Sequence, residues 1–264
     1  MDIMIFRSSE AVAEYATQVI KDLINKKPAT VLGMATGSTP LLMYRRLIEE
    51  CRRGFLSFRE VTTFNLDEYY GVNGEDARSY RAYMQREFFD HIDIVPENTH
   101  LPACSSDQDH LDVSRNYEAL IAGKGGIDLQ VLGLGQNGHI GFNEPTSSLG
   151  SRTRIKTLTQ GTLNINSQYF SSESQPELAI TMGIATILEA RQILMIATGA
   201  KKAEPVRQFV EGPVSTMCPA SALQFHNNTQ VLLDEDAASL LANREYYESV
   251  QVQKRQLAEQ FRGI

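Results

Sequence analysis

Tryptophan is absent from this chain of 264 residues, and cysteine is confined to Cys51, Cys104 and Cys218. The cysteines are odd in number, scattered and without CxxC spacing, so free, buried or half-buried thiols are expected rather than a disulfide framework or metal ligands. No apolar run reaches membrane-spanning length, and the N-terminal MDIMIFRSSEAVAEYA has acidic and polar residues where a signal peptide needs an apolar segment. A soluble, cytoplasmic protein is expected. Positive charge is in deficit: 25 basic against 32 acidic residues give a net charge of -7, which argues against nucleic acid or an anionic membrane as the main partner. An anionic small molecule remains open wherever local donors offset that charge. Metal-ligand spacing, a Walker motif and a GxSxG nucleophile elbow are missing too. Nor are there repeats, low-complexity tracts or an interdomain linker, so residues 1–264 are expected as one α/β domain with a sizeable core.

What is present centres on IDLQVLGLGQNGHIGFNEP, Ile127 to Pro145. Ile127 to Leu134 has the composition of a strand covered on both faces, as in a parallel sheet with helical crossovers. The glycines that follow lie at its carboxyl end, where ligands bind in open α/β sheets. Gly133, Gly135 and Gly138 match GxGxxG, but Gly141 and Pro145 forbid the helix that a dinucleotide fingerprint needs, and no acid occurs between Glu144 and Glu173. The glycines are better read as letting backbone approach a ligand while Asn137, His139 and Glu144 project into the site.

Other segments converge on the same rim. Thr30 to Ala35 reads as a strand, then Thr36, Gly37, Ser38 and Thr39, then a helix beginning at Pro40: either a phosphate cradle or an ordinary helix cap. Val61 to Leu66 is the next strand, with Asp67 and Glu68 at its end. Gln192 to Ala197 is a strand followed by Thr198, Gly199 and Lys202 in the first turn of a helix. Met1 to Phe6 and Val231 to Leu233 supply further strands, and helices are expected from Ser8 or Ser9 to Lys26, over Ser79 to Phe89, Ser114 to Ala122 and Ala237 to Phe261. Residues 90–102 read as a connection. Residues 146–186 include a stretch rich in Ser, Thr, Asn and Gln and are expected as a lid or inserted segment; Arg152, Arg154 and Lys156 alternate there and would share a face if extended. The fold expected is an open, mainly parallel, doubly wound (Rossmann-like) sheet with helices on both faces. A carboxylate, a His–Glu pair, a lysine and a cradle at one rim suit acid–base chemistry on a phosphorylated small molecule, such as sugar-phosphate isomerisation.

The motifs TGSTP, TFNLDEYYG, GLGQNGHIGFNEP, SSLGSRTRIKTLT and TGAKKA, in this order and covering essentially the whole chain, resemble the glucosamine-6-phosphate deaminase (glucosamine-6-phosphate isomerase) family. The resemblance implies conversion of glucosamine 6-phosphate and water to fructose 6-phosphate and ammonia, without metal or organic cofactor. It implies Asp67 as the base at C2, His139 as the ring-opening residue assisted by Glu144 and Asn137, and Thr36 to Thr39 with Lys202 on the phosphate. Family members carry Asp or Asn at the position of Asn137; an asparagine hydrogen-bonds but cannot titrate. In hexameric members activated by N-acetylglucosamine 6-phosphate, the matching effector residues are Ser147, Arg154, Lys156 and Thr157, with Tyr246 the counterpart of a C-terminal tyrosine. A homo-oligomer, hexameric by resemblance, is therefore expected. Gln168 departs from the pattern, standing where the family usually has a phosphate-binding arginine; this should weaken the grip on phosphate and leaves room for galactosamine 6-phosphate. The rival readings are a 6-phosphogluconolactonase, which needs no carbon acid, and a non-catalytic sugar-phosphate sensor. Ammonia release separates both from a deaminase.

Overall fold

The structure is a computed structural model that describes residues 1–167, 170 and 175–261. Strand β1 (Asp2–Phe6) leads to helix α1 (Ser9–Lys26), capped by Ser8, whose hydroxyl accepts the Ala11 N–H at 3.3 Å. Val12, Ala16, Ile20 and Ile24, at four-residue steps, bury one face of α1. Next come β2 (Val31–Met34), α2 (Leu41–Arg52), β3 (Thr62–Asn65) and, after Leu66 alone, β4 (Asp67–Tyr69). Helix α3 (Tyr80–Glu87), β5 (Thr99–His100), α4 (His110–Gly123) and β6 (Leu129–Gly133) follow. The remainder holds β7 (Arg154–Thr157), α5 (Gln160–Asn166), β8 (Leu178–Thr181), α6 (Ile184–Leu188), β9 (Gln192–Ala197), α7 (Ala203–Glu211), β10 (Thr229–Asp234) and α8 (Arg244–Phe261).

Seven strands form a parallel sheet in the order β1-β10-β9-β6-β2-β3-β5. Successive residues of its strands point to opposite faces and feed two cores, which is why the strands read as continuous apolar runs. Leu32, Val131, Leu194 and Leu232 pack with Val12, Ile20 and Leu47 of α1 and α2. Leu132, Ile193, Met195 and Val231 pack with Tyr117 of α4 and Phe209 of α7 on the other side. The doubly wound sheet expected from the sequence is the one observed. From β2 the chain moves one way to β3 and β5, then returns to set β6 on the other flank of β2. The crevice between the carboxyl ends of β2 and β6 is thus the switch point, where both glycine-containing loops emerge.

A second, antiparallel sheet in the order β4-β8-β7 stands over this end. Leu66 couples the two sheets: its N–H donates to Met34 O at 3.1 Å and its carbonyl accepts the Met182 N–H at 2.6 Å. Asp67, the next residue, is therefore fixed by backbone hydrogen bonding on both sides rather than hung on a loop. Segment 146–186 supplies β7, α5 and β8 to this arrangement.

Several expectations change. The last helix begins at Arg244, not Ala237, because an Asp234 carboxylate oxygen accepts the Ala237 N–H at 2.8 Å and tucks Ala237 and Ala238 into the core as a turn. Residues 90–102 hold a 3-10 turn at Pro96–Asn98 and the short strand Thr99–His100, too brief for a period-two signal. Arg152 lies before β7 rather than in its face, held by the Glu118 and Glu189 carboxylates. Cys104 and Cys218 are buried and Cys51 half-buried, all as free thiols. No helix among the described residues is long and apolar enough to cross a membrane.

Candidate active site

The loop after β2 carries Thr36 to Thr39 into α2. Pro40 occupies the cap position without a side-chain cap, and the Leu41 N–H makes a long 3.4 Å bond to Ser38 O. Tyr83 of α3 braces the loop, its hydroxyl donating to Gly37 O at 2.7 Å. Lys202 reaches in from the turn before α7, its ammonium donating to Leu134 O. Burial pushes the Lys202 amine below its usual range, and among the described residues no carboxylate pairs with it.

The two carboxylates after β3 divide the work. Glu68 is fully buried and accepts the backbone N–H groups of Tyr69, Tyr80 and Arg81 at 2.9 Å each, tying β4 to the start of α3. Asp67 faces the cavity. Burial, reinforced by the charge of Glu68 and opposed by the Phe142 backbone N–H, pushes its carboxyl up to about 8. The Gly138–Phe142 loop comes close to this carboxylate because Gly141 sits at φ 55°; a Cβ there would lie 3.3 Å from Asp67 Oδ2 and 2.9 Å from Thr181 Oγ1.

His139 stands on the loop after β6, its ring over Gly135, where a Cβ would come within 2.4 Å of the imidazole. Its Nδ1 lies 3.4 Å from Glu144 Oε2, in ion-pair reach but without hydrogen-bond geometry. That orientation leaves Nε2 for the cavity. Glu144 accepts Asn137 Nδ2 at 2.7 Å and the Thr162 hydroxyl, and the Thr159 N–H at 3.3 Å. Burial pushes the Glu144 carboxyl up, but His139, Thr162 and Asn137 outweigh it and hold the group down at about 2. A fixed carboxylate behind an imidazole at a cavity edge orients the ring.

Thr36, Gly37, Ser38, Thr39, Asp67, His139 and Lys202 line a single cavity of about 410 Å³, a volume in the range of small-molecule sites. Asn137 and Glu144 are not on its wall; they back His139. The other predicted set is elsewhere. Arg154, Lys156 and Thr157 are on β7, Ser147 is buried in the loop after Glu144, and no contact among the described residues joins Tyr246 of α8 to them. Gln168 lies outside the described residues. The cavity also has walls that sequence reasoning missed: Tyr69, Tyr80 and Phe142, with Tyr80 and Phe142 stacked at 5.9 Å, and the rim residues Arg78 and Arg86. A helical spacing of Ser79, Tyr83 and Arg86 was the available signal for part of it.

A carboxyl pushed up by burial and an imidazole backed by a carboxylate held down at about 2 thus meet on one cavity with the start of α2 and a lysine. A sequence profile described as glucosamine-6-phosphate isomerases/6-phosphogluconolactonase matches residues 7–232. A glucosamine-6-phosphate deaminase of Hahella chejuensis is 56% identical over 252 residues, 95% of this chain and 96% of that one. The chain belongs to this family. A glucosamine-6-phosphate deaminase of Colwellia psychrerythraea is 54% identical over 248 residues, 94% of this chain and 92% of that protein. Among solved structures, a protein described as a monomeric glucosamine-6-phosphate deaminase superposes with a TM-score of 0.88 at 45% identity, covering 91% of this chain and all 100% of that one. The 6-phosphogluconolactonase of Trypanosoma brucei superposes at 0.72 with 21% identity over 91% of this chain and 98% of that one, a likeness of fold alone.

Proposed function

We propose that the protein is a glucosamine-6-phosphate deaminase, converting glucosamine 6-phosphate and water to fructose 6-phosphate and ammonia. The observation that carries this reading is the placement of Asp67 and His139 on one cavity beside the Thr36 to Thr39 cradle. With the phosphate at the cradle and Lys202, His139 relays a proton from the C1 hydroxyl to the ring oxygen, opening the pyranose to the aldehyde; Glu144 stands behind the ring for that transfer, and Asn137 holds Glu144 and the His139 backbone N–H. Asp67 then takes the proton from C2. A carboxylate of raised pKa is the stronger base, and the ammonium that the substrate carries at C2 draws Asp67 towards ionisation when it binds. Protonation at C1 leaves an imine at C2, and its hydrolysis releases ammonia. A coupled assay on glucosamine 6-phosphate should give ammonia and fructose 6-phosphate in equal amounts, faster than galactosamine 6-phosphate does. Absence of ammonia from both amino sugars, with hydrolysis of 6-phosphogluconolactone, would sink the reading.

Activation by N-acetylglucosamine 6-phosphate, in a cytoplasmic homohexamer, belongs to the same proposal. Its support is a set of donors with capacity to spare: among the described residues the Ser147 hydroxyl is buried without a partner, and Arg154 Nη1 donates to Asn143 Oδ1 at 2.7 Å and, weakly, to Arg152 O at 3.4 Å. Asn143 is chained to Ile140 O at 2.9 Å and Met182 O at 2.8 Å, and it precedes Glu144, so an anion that draws off Arg154 acts on the loop of His139. Added N-acetylglucosamine 6-phosphate should lower the half-saturating substrate concentration and raise the melting temperature; if neither moves, the effector site is not retained. The relative described as monomeric favours a monomer instead, and the native mass decides between them.

A further inference from the structure

The phosphate of a sugar phosphate carries close to two negative charges at neutral pH, yet among the described residues Lys202 is the one cationic side chain on the cradle's side of the cavity, and burial disfavours its charged form. The opposite wall is helix α3, where Tyr83 and Arg86, three residues apart, form a stripe along the cavity that continues to the cap residue Ser79. Tyr83 donates its hydroxyl to Gly37 O at 2.7 Å, so this stripe abuts the cradle, and the Arg86 guanidinium lies over the Tyr83 ring at 5.7 Å. We infer that Arg86 is a phosphate-binding residue, closing over the anion from α3 opposite Lys202. This assignment rests on the sugar-phosphate reading above.

The alternative guanidinium at the rim, Arg78, is less suited. Its Nε and Nη2 donate to the two oxygens of Asp76 at 2.8 and 2.5 Å, which matches its charge and holds Asp76 down at about 2. Arg86 by contrast uses, among the described residues, only Nε, towards Glu87 Oε1 at 2.8 Å, and both side chains of that pair reach solvent. An exposed pair of neighbours contributes little and exchanges readily for an anion. The two Nη groups then form the planar fork that phosphate oxygens accept in pairs, while the stack on Tyr83 limits how far the side chain can swing.

The test compares Arg86→Ala and Arg86→Lys with the unsubstituted protein, using inorganic phosphate as a probe that needs no turnover. Arg86 is a partly exposed surface side chain, so both variants should fold. In Arg86→Ala the Michaelis constant for glucosamine 6-phosphate and the inhibition constant for inorganic phosphate should both rise about tenfold, the effect of one lost charge-assisted contact, with kcat within about twofold. Arg86→Lys should recover part of both. The rise in melting temperature produced by inorganic phosphate should shrink in parallel, a readout that holds even for a protein that released no ammonia from any amino sugar. Failure of the proposed reaction and failure of this assignment are therefore separable. An unchanged response to inorganic phosphate in Arg86→Ala overturns the assignment, whatever happens to the Michaelis constant.

Discussion

Replacing Asp67 with Asn should abolish ammonia release, by about 10²–10⁴-fold in kcat, while making the folded protein more stable. Both effects have one cause. The carboxyl is buried beside Glu68 and pushed up to about 8, against about 3.9 for an exposed aspartate. A group whose pKa is raised on folding favours the native state fully below the unfolded value, and that contribution is lost as pH climbs towards the folded value. Between about pH 4 and 8 the unfolded chain ionises Asp67 and the native state does not, so the unsubstituted protein weakens with rising pH, by up to about 5 kcal/mol from this group. Asparagine removes the penalty. Even about 2 kcal/mol moves the midpoint of a domain this size by roughly 4–8 °C. Melting curves from pH 5 to 9 should show the variant's advantage growing to about pH 8 and then levelling off. A variant that is inactive but less stable at pH 8 would mean that Asp67 supports the fold rather than being strained for chemistry.

Replacing His139 with Asn should lower kcat by a similar 10²–10⁴-fold, because ring opening loses its proton carrier, but with a different signature in stability. Glu144 is held at about 2, with His139 the foremost of the groups that offset its burial. A carboxyl depressed on folding contributes stability above its unfolded value of about 4.3 that disappears as pH falls through the folded value. Without the imidazole this contribution shrinks, so the melting temperature of His139→Asn should fall at pH 7, with the loss narrowing as pH drops from about 4.3 towards about 2. Inorganic phosphate should bind the variant as before, since the cradle and Lys202 are untouched. Retention of activity within about threefold of the unsubstituted protein would remove His139 from the mechanism.

Much of this was legible because the chemistry sits where backbone signals are strongest. Buried parallel strands give unbroken apolar runs, and Gly141 and Gly135 mark places where Asp67 and His139 press against backbone. What the residues alone left open was which neighbour does what. Asp67 is expected as the rim carboxylate, but the role of Glu68 is not visible in FNLDEY; the crossing at Leu66 into the antiparallel β4 turns Asp67 to the cavity and gives Glu68 to three backbone donors. TGSTP reads equally as cap or cradle in the sequence, and in the structure Pro40 stands at the cap position without a side-chain cap. Tyr83 and Arg86 escaped notice because the polar stripe of an amphipathic helix reads as a face towards water, and nothing local says that the small sheet stands over that side.

The central claim is that one bound hexose phosphate meets Asp67 at its second carbon and His139 at its ring oxygen. A crystal structure with the acyclic amino alcohol of the substrate, 2-amino-2-deoxyglucitol 6-phosphate, tests it most directly. The account predicts the phosphate at Thr36 to Thr39 and Lys202, with an Asp67 oxygen within about 3.5 Å of C2 and the His139 ring beside the oxygen on C5. A ligand bound with its phosphate in the cradle but its second carbon turned away from Asp67 would contradict it.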